Sequence, residues 1–337
     1  MIDVRSFPPC VEEQFMRPVF VSAIAVGVCL ALPLGSAAAT SSIDGGAVGG
    51  ATATPVGRAY GPAPFPAPTS VPGLSGGHAP SGAVEPVPRY VAQTSCDPRQ
   101  KPGIAAFKKL VMAQYPSGKD WGSVRNCTDD GISEHLEGRA WDWNVNVKNA
   151  TQFAQAAQLL TWLTDNDGYN ARRLGIMYIG YNARIWGAYR ASEGWRPLSN
   201  SNPHTDHVHF SFTWNGAMKK TSFWTGSTPP EDYGPCRPYA GQPAPIWNRA
   251  NPTPCPIAPA LPASLRGAKL LWRGSKGSKV TRVQQKVKRG SRAEAGVFGP
   301  KTAKAVRAYQ RAKGLPVTGA VDAATWFALR MNIKPKK

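Results

Sequence analysis

The 337-residue sequence predicts an α+β protein, with a small antiparallel sheet and flanking helices in one domain and a separate three-helix domain behind it. Three observations carry this expectation. Between 90 and 226, short stretches of two-residue alternation are interleaved with stretches of helical period. Between 267 and 333 the apolar residues recur only at helical spacing, and the two regions are parted by Pro-rich, irregular sequence over 227–266.

The first element is not expected to be part of the fold. Arg17 precedes an apolar run from Val19 to Leu34, followed by the small residues Ala37-Ala38-Ala39, which is the pattern of a signal peptide over 1–39 cut before Thr40. Glu12 and Glu13 fit poorly with a basic leader, whereas Met16-Arg17 would begin one well. Residues 40–89 are dominated by Ala, Gly, Pro, Ser and Thr. Such a stretch buries too little surface to offset the entropy of ordering and reads as a disordered linker.

Folded character begins near Tyr90. A helix is expected over 98–115, with Ile104, Phe107, Leu110 and Val111 on one face. Alternation over 140–147 places Trp141, Trp143, Val145 and Val147 on one side of a strand and Asp142 on the other. Phe153, Ala156, Ala157, Leu160 and Leu163 make the apolar stripe of a helix over 149–164. Strands are expected over 176–181 and 184–189 with a turn at Asn182-Ala183. A further strand over 207–212 places His207, His209 and Ser211 on one face and Val208, Phe210 and Phe212 towards the core. The last domain offers helices over 279–288, 301–313 and 322–330, the second stopped by Gly314.

Without the leader, four cysteines remain. In an exported chain they suggest disulfides; of the three possible connectivities, sequence proximity favours Cys96–Cys127 with Cys236–Cys255. Charge divides unevenly as well. From 267 to 337, 11 Lys and 7 Arg face only Glu294 and Asp322, which leaves +16 of the chain's +20 in that region. For an exported protein, an anionic envelope polymer is a more accessible counter-ion than nucleic acid, and no nucleic-acid partner is expected.

His135, Asp142 and His209 form the candidate metal site. Catalytic zinc takes three protein ligands and keeps a position for water, so one His before a Gly turn, one Asp on the next strand and one His on another strand make a complete set. Asp206 is the candidate general base beside the site, and His207, or a nearby cation, the candidate group to meet charge on a carbonyl oxygen. Arg139, Trp141, Trp143 and Trp186 are read as core and His204 as a loop residue.

Ser133-x-His135-x-x-Gly138-x-Ala140-x-Asp142 with Asp206-x-x-His209 resembles the signature of the D-alanyl-D-alanine carboxypeptidase-like metallopeptidases, relatives of lysostaphin-type peptidases and the hedgehog signalling domain. The six-residue gap between His135 and Asp142 is longer than that of lysostaphin-type enzymes. The resemblance implies Zn2+ on His135, Asp142 and His209, Asp206 as base, His207 at the oxyanion, and an upstream Arg, for which Arg125 is the candidate.

The last domain resembles the three-helix peptidoglycan-binding module of wall hydrolases. The likeness rests on Leu271, Gly274, Gly277 and Val280, on Gly296-x-Phe298-Gly299-x-x-Thr302, and on Tyr309-Gln310, Gly319-x-Val321-Asp322 and Thr325-Trp326. The whole is expected to be a secreted, wall-associated monomer without a stable membrane anchor, binding peptidoglycan and other anionic wall polymers.

Overall fold

A computed structural model describes residues 61–331 apart from 80, 81, 83, 130, 199–201, 247–254 and 288–293. The expected signal peptide and the first part of the expected linker lie outside the described residues.

The fold is α+β, built on a six-stranded sheet in which every pairing is antiparallel. Its strands are β1 (Lys119–Asp120), β2 (Ala140–Asn144), β3 (Ile176–Tyr181), β4 (Arg184–Gly187), β5 (Arg196–Pro197) and β6 (Val208–Phe212), in the spatial order β1-β2-β6-β3-β4-β5. Asn182 and Ala183 both adopt left-handed φ (45° and 60°), the geometry of a tight hairpin turn whose twist matches that of β3 and β4.

Helix α1 (Pro102–Gln114) starts four residues later than the sequence predicts. Pro102 takes the first turn, where its fixed φ fits and its missing N–H costs nothing. Ile104, Phe107 and Val111 are buried as expected. Phe107 inserts between Trp141, Phe210 and Phe212, with ring centroids 5.8, 5.2 and 5.4 Å away, so the apolar faces of β2 and β6 close on α1.

Helix α2 (Ala150–Leu174) is capped by the Asn149 side chain, which accepts from Gln152 N–H at 3.1 Å. It runs ten residues beyond the predicted end through a break at Asp165–Gly168, where Asn166, Asp167 and Gly168 take left-handed φ. That polar, Gly-ended run is the breaker signal; the short helical piece after it carries too few apolar residues to be visible as a period. Two short helices, α3 (Trp214–Ala217) and α4 (Ser222–Thr225), complete this part.

The linker expectation is corrected from residue 61 onwards. Phe65 and Leu74 belong to the same apolar core as α1, α2 and the sheet, with Phe65 edge-on to Trp195 at 5.7 Å. The Glu85 carboxylate accepts from Ser222 N–H and Oγ–H at 2.6 and 2.8 Å. A few anchoring side chains and backbone bonds are enough to order a stretch whose composition is otherwise poor in apolar groups.

A second apolar cluster contains Leu271, Val280, Val283, Phe298, Val306, Val321 and Trp326. Around it lie α5 (Ser278–Lys286), α6 (Pro300–Ala312) and α7 (Ala323–Ala328), the last capped by Asp322, which accepts from Thr325 N–H at 2.9 Å. The connector 227–266 contains one 3₁₀ turn, Ala263–Leu265, among its described residues, yet it is tied to this cluster's helices and loops. Glu231 approaches Arg273 and Arg307 at 3.5 and 3.9 Å, and Gln242 Oε1 accepts from Ala323 N–H at 3.1 Å. Both favoured disulfides form, Cys96–Cys127 and Cys236–Cys255.

Candidate metal centre

Asp142 and His209 meet because β2 and β6 pair in one particular register, in which they are direct cross-strand partners. Trp141 and Trp143 on one side of Asp142, and Val208 and Phe210 beside His209, are completely buried in the apolar core, so both polar side chains are forced onto the opposite face. A slip of one residue would turn them into that core.

His135 reaches the same face from a 3₁₀ turn, Glu134–Glu137. Ser133 caps the turn, its Oγ accepting from His135 N–H at 3.3 Å. Gly138 ends it in left-handed conformation (φ 62°), and a Cβ there would lie 2.0 Å from Arg99 O. Ser133 and Gly138 are therefore parts of the ligand-bearing turn: one fixes its start, the other is the residue that both the dihedral and the close approach require.

The three ligand atoms converge. Asp142 Oδ1 lies 3.2 Å from His135 Nε2 and 2.9 Å from His209 Nδ1, and the two ring nitrogens are 3.3 Å apart. All three side chains are buried, and the ligand atoms lie within 4.8 Å of one another. Burial alone would raise the Asp142 carboxyl, but hydrogen bonds from His135 and His209 outweigh it and hold the group far below the usual carboxylate range. Burial pushes the His135 imidazole down, towards the neutral form that ligates metal. Two imidazoles and one ionised carboxylate, buried and convergent, fit a divalent cation.

Behind His209 runs a chain of buried groups. Its Nε2 lies 2.9 Å from Ser211 Oγ, which in turn donates to Glu134 Oε2 at 3.1 Å; Tyr178 O–H donates to the same oxygen at 2.5 Å. Burial would raise Glu134, but the Arg139 charge and the Tyr178 hydroxyl hold it below its ordinary value. With an ion bound, Ser211 Oγ would accept from His209 Nε2–H and leave the Nδ1 lone pair for the metal, so the Ser211 contact favours the ligating tautomer. Arg139, fully buried, bonds Glu137 Oε2 at 2.6 Å and the carbonyls of Phe212 and Val91, each at 2.8 Å, and so fixes the turn to the end of β6.

The remaining predicted residues divide. Arg125 is at the site: its Nη2 lies 3.6 Å from Asp142 Oδ2, the side chain is half exposed, and the nearby Cys96–Cys127 bridge anchors its loop. His207 is buried, with Nε2 3.8 Å from Asp142 Oδ1. Asp206 reaches the site through His207, its Oδ1 bonded to His207 Nδ1 at 2.7 Å and its side chain half exposed.

Glu134, Ser211 and Tyr178 were not singled out by the sequence, nor was His204 placed in the site. Ser211 was within reach of sequence reasoning, since strand alternation puts it on the face of His207 and His209. His204 stacks on His207 with ring centroids 4.7 Å apart and meets His209 edge-on at 5.7 Å; burial and the two neighbouring imidazoles push it down to about 4. Trp121, exposed, lies 5.6 Å from the His207 ring. A cavity lined by Glu85, Arg172, Trp214 and Tyr233 shares no residue with this cluster.

Residues 96–209 match the family described as VldE, C-terminal domain. The match runs from the first disulfide cysteine to the last candidate ligand. Residues 276–329 match the putative peptidoglycan binding domain family. Together these fit a cell-wall-associated enzyme; neither is the carboxypeptidase-like family that the motif resembles. No curated protein and no solved structure gives a significant match. The peptidoglycan-binding match and the disulfides fit a cell-wall or extracellular protein, and no helix among the described residues is long and apolar enough to cross a membrane.

Proposed function

We propose that the protein is a secreted zinc metallopeptidase that hydrolyses peptide bonds in the stem peptides or cross-links of peptidoglycan, brought to its substrate by the C-terminal module. The observation that carries this reading is the placement of the Asp206–His207 pair beside the buried His135–Asp142–His209 set. A purely structural metal site needs no carboxylate-backed imidazole at its edge.

His135, Asp142 and His209 would hold the ion. When bound, zinc supplies Lewis acidity that makes water an effective nucleophile near neutral pH. His207 Nε2 is the end of the pair that faces the ligands, so it accepts the proton of the attacking water, while Asp206 holds Nδ1–H and stabilises the imidazolium that results. The motif resemblance gives the base role to Asp206; its contact with His207 Nδ1 and its half-exposed side chain favour an orienting role instead. Arg125, a cation at the rim, meets the negative charge that grows on the carbonyl oxygen as water adds. The proton then passes from His207 to the leaving amine.

The test uses purified peptidoglycan. The wild-type protein should release new amino groups in a chelator-sensitive manner, His135→Ala should lose this release, and both should sediment with the wall equally. New reducing ends in place of new amines would make it a glycan hydrolase. Zinc binding with no release of either would make it a wall-binding protein with a structural metal. Mass spectrometry of defined muropeptides then names the bond.

A further inference from the structure

The two longer helices of the C-terminal module expose charge of one sign. On α5, Val280 and Val283 are buried, and Lys279, Arg282 and Lys286, at i, i+3 and i+7, form an exposed stripe. On α6, Ala303, Ala305, Val306 and Gln310 are buried, while Lys304 and Arg311 are exposed on one face, with Lys301 a turn earlier.

Among the described residues of the module the acids are Glu294 and Asp322. Glu294 lies outside both helices. Asp322 is buried, and its carboxylate accepts from Thr325 N–H at 2.9 Å, Thr325 Oγ1–H at 2.7 Å and Thr318 Oγ1–H at 3.0 Å. Neither stripe therefore has an acid interspersed in it. Helix surfaces ordinarily mix signs, because like charges three or four residues apart cost a helix stability.

We propose that these stripes bind a linear, phosphodiester-linked anionic polymer of the cell wall, alongside the peptidoglycan for which the module's family is named. A neutral glycan is recognised by hydrogen bonds and ring stacking and gains nothing from unbroken positive charge. A linear polyanion matches cations repeated over roughly 10 Å of each of the two helices. Arg and Lys pair with phosphate oxygens through charge-assisted hydrogen bonds. A wall polymer is favoured over nucleic acid or lipid because the module matches a peptidoglycan-binding family and the described residues carry two disulfides.

The proposal is independent of the metallopeptidase reading, since it concerns neither the metal nor the bond cleaved. Its test is co-sedimentation of the full chain with purified walls before and after acid removal of phosphodiester polymers, over a range of salt. Wild-type protein should bind intact walls about tenfold more tightly than stripped walls at low salt, with the difference vanishing at high salt. The quadruple variant R282Q/K286Q/K304Q/R311Q should bind both walls alike, at the wild-type level on stripped walls. Its thermal unfolding should be unchanged, since the four side chains are exposed. Equal wild-type binding to both walls would overturn the proposal. So would salt-sensitive binding retained by the variant, or equal affinity of wild-type protein for duplex DNA or for phosphatidylglycerol vesicles.

Discussion

The region around the candidate metal centre carries its charge inside, whereas the C-terminal module carries it outside. Glu134, Glu137, Arg139 and Asp142 are all buried near the sheet, each with an oppositely charged or hydrogen-bonding neighbour. In the module the buried charge among the described residues is Asp322, held by threonines, and the rest of the interior is apolar or neutral, with Leu, Val, Ala, Phe and Trp around Gln310 and Thr302. Burying an ion without a partner costs several kcal/mol, so the first region can exist in only a few arrangements. Hydrated surface charges carry no such penalty and impose no such order. The difference separates two kinds of recognition: one that depends on atoms held to a fraction of an ångström, and one that depends on the sign and length of a surface.

The largest expected effect lies at the centre of the buried region. Asp142→Ala removes one of three ligands and should weaken zinc binding on the order of a thousandfold, read by competition with a chromophoric chelator. Wild-type affinity in that variant would mean that the cluster is not a metal site. Phe298→Ala, in the core of the module, should cost about 3–5 kcal/mol of that module's stability, followed by thermal unfolding, while zinc affinity stays the same. A parallel loss of zinc would show that the two regions fold as one.

A smaller change tests the groups behind the ligands. Ser211→Ala frees the tautomer of His209 and should lower zinc affinity about 10–100-fold, with the fold intact by circular dichroism. Unchanged affinity would reduce the Ser211–Glu134 chain to a structural role. Smallest of all, the single exposed substitution Arg311→Gln should shift stability by less than about 0.5 kcal/mol, measured by urea unfolding. A larger shift would contradict the picture of an exposed, hydrated Arg311 side chain.

The same division explains what could be read from the sequence. The fold class and the shared face of Asp142 and His209 were visible because both follow from short-range periodicity: Trp141 and Trp143 flank Asp142, and Val208 and Phe210 bracket His209, while His135 was reached through its motif. The disulfide pairs followed from proximity. Glu134 and Tyr178 were not visible, since an acid beside a histidine and a tyrosine in a strand acquire meaning only when three strands and a turn are brought together. The bond between Asp206 and its own neighbour His207 is a side-chain contact, which spacing does not encode. Residues 61–89 were missed because composition averages over a segment, and it is single residues such as Phe65, Leu74 and Glu85 that hold this one down.

The pairing of Asp142 with His209 also bears on when the site comes into being. These two ligands are 67 residues apart in the chain, and they become neighbours only once β6 has docked beside β2. Closing so long a loop is an entropic cost that precedes any contact it rewards, so this pairing belongs to the late, non-local part of folding. A nascent or partly folded chain has no assembled cluster to offer an ion. Metal capture by this cluster would thus be a property acquired at the end of folding, and uptake of an ion would serve as a clock for the moment the sheet is complete.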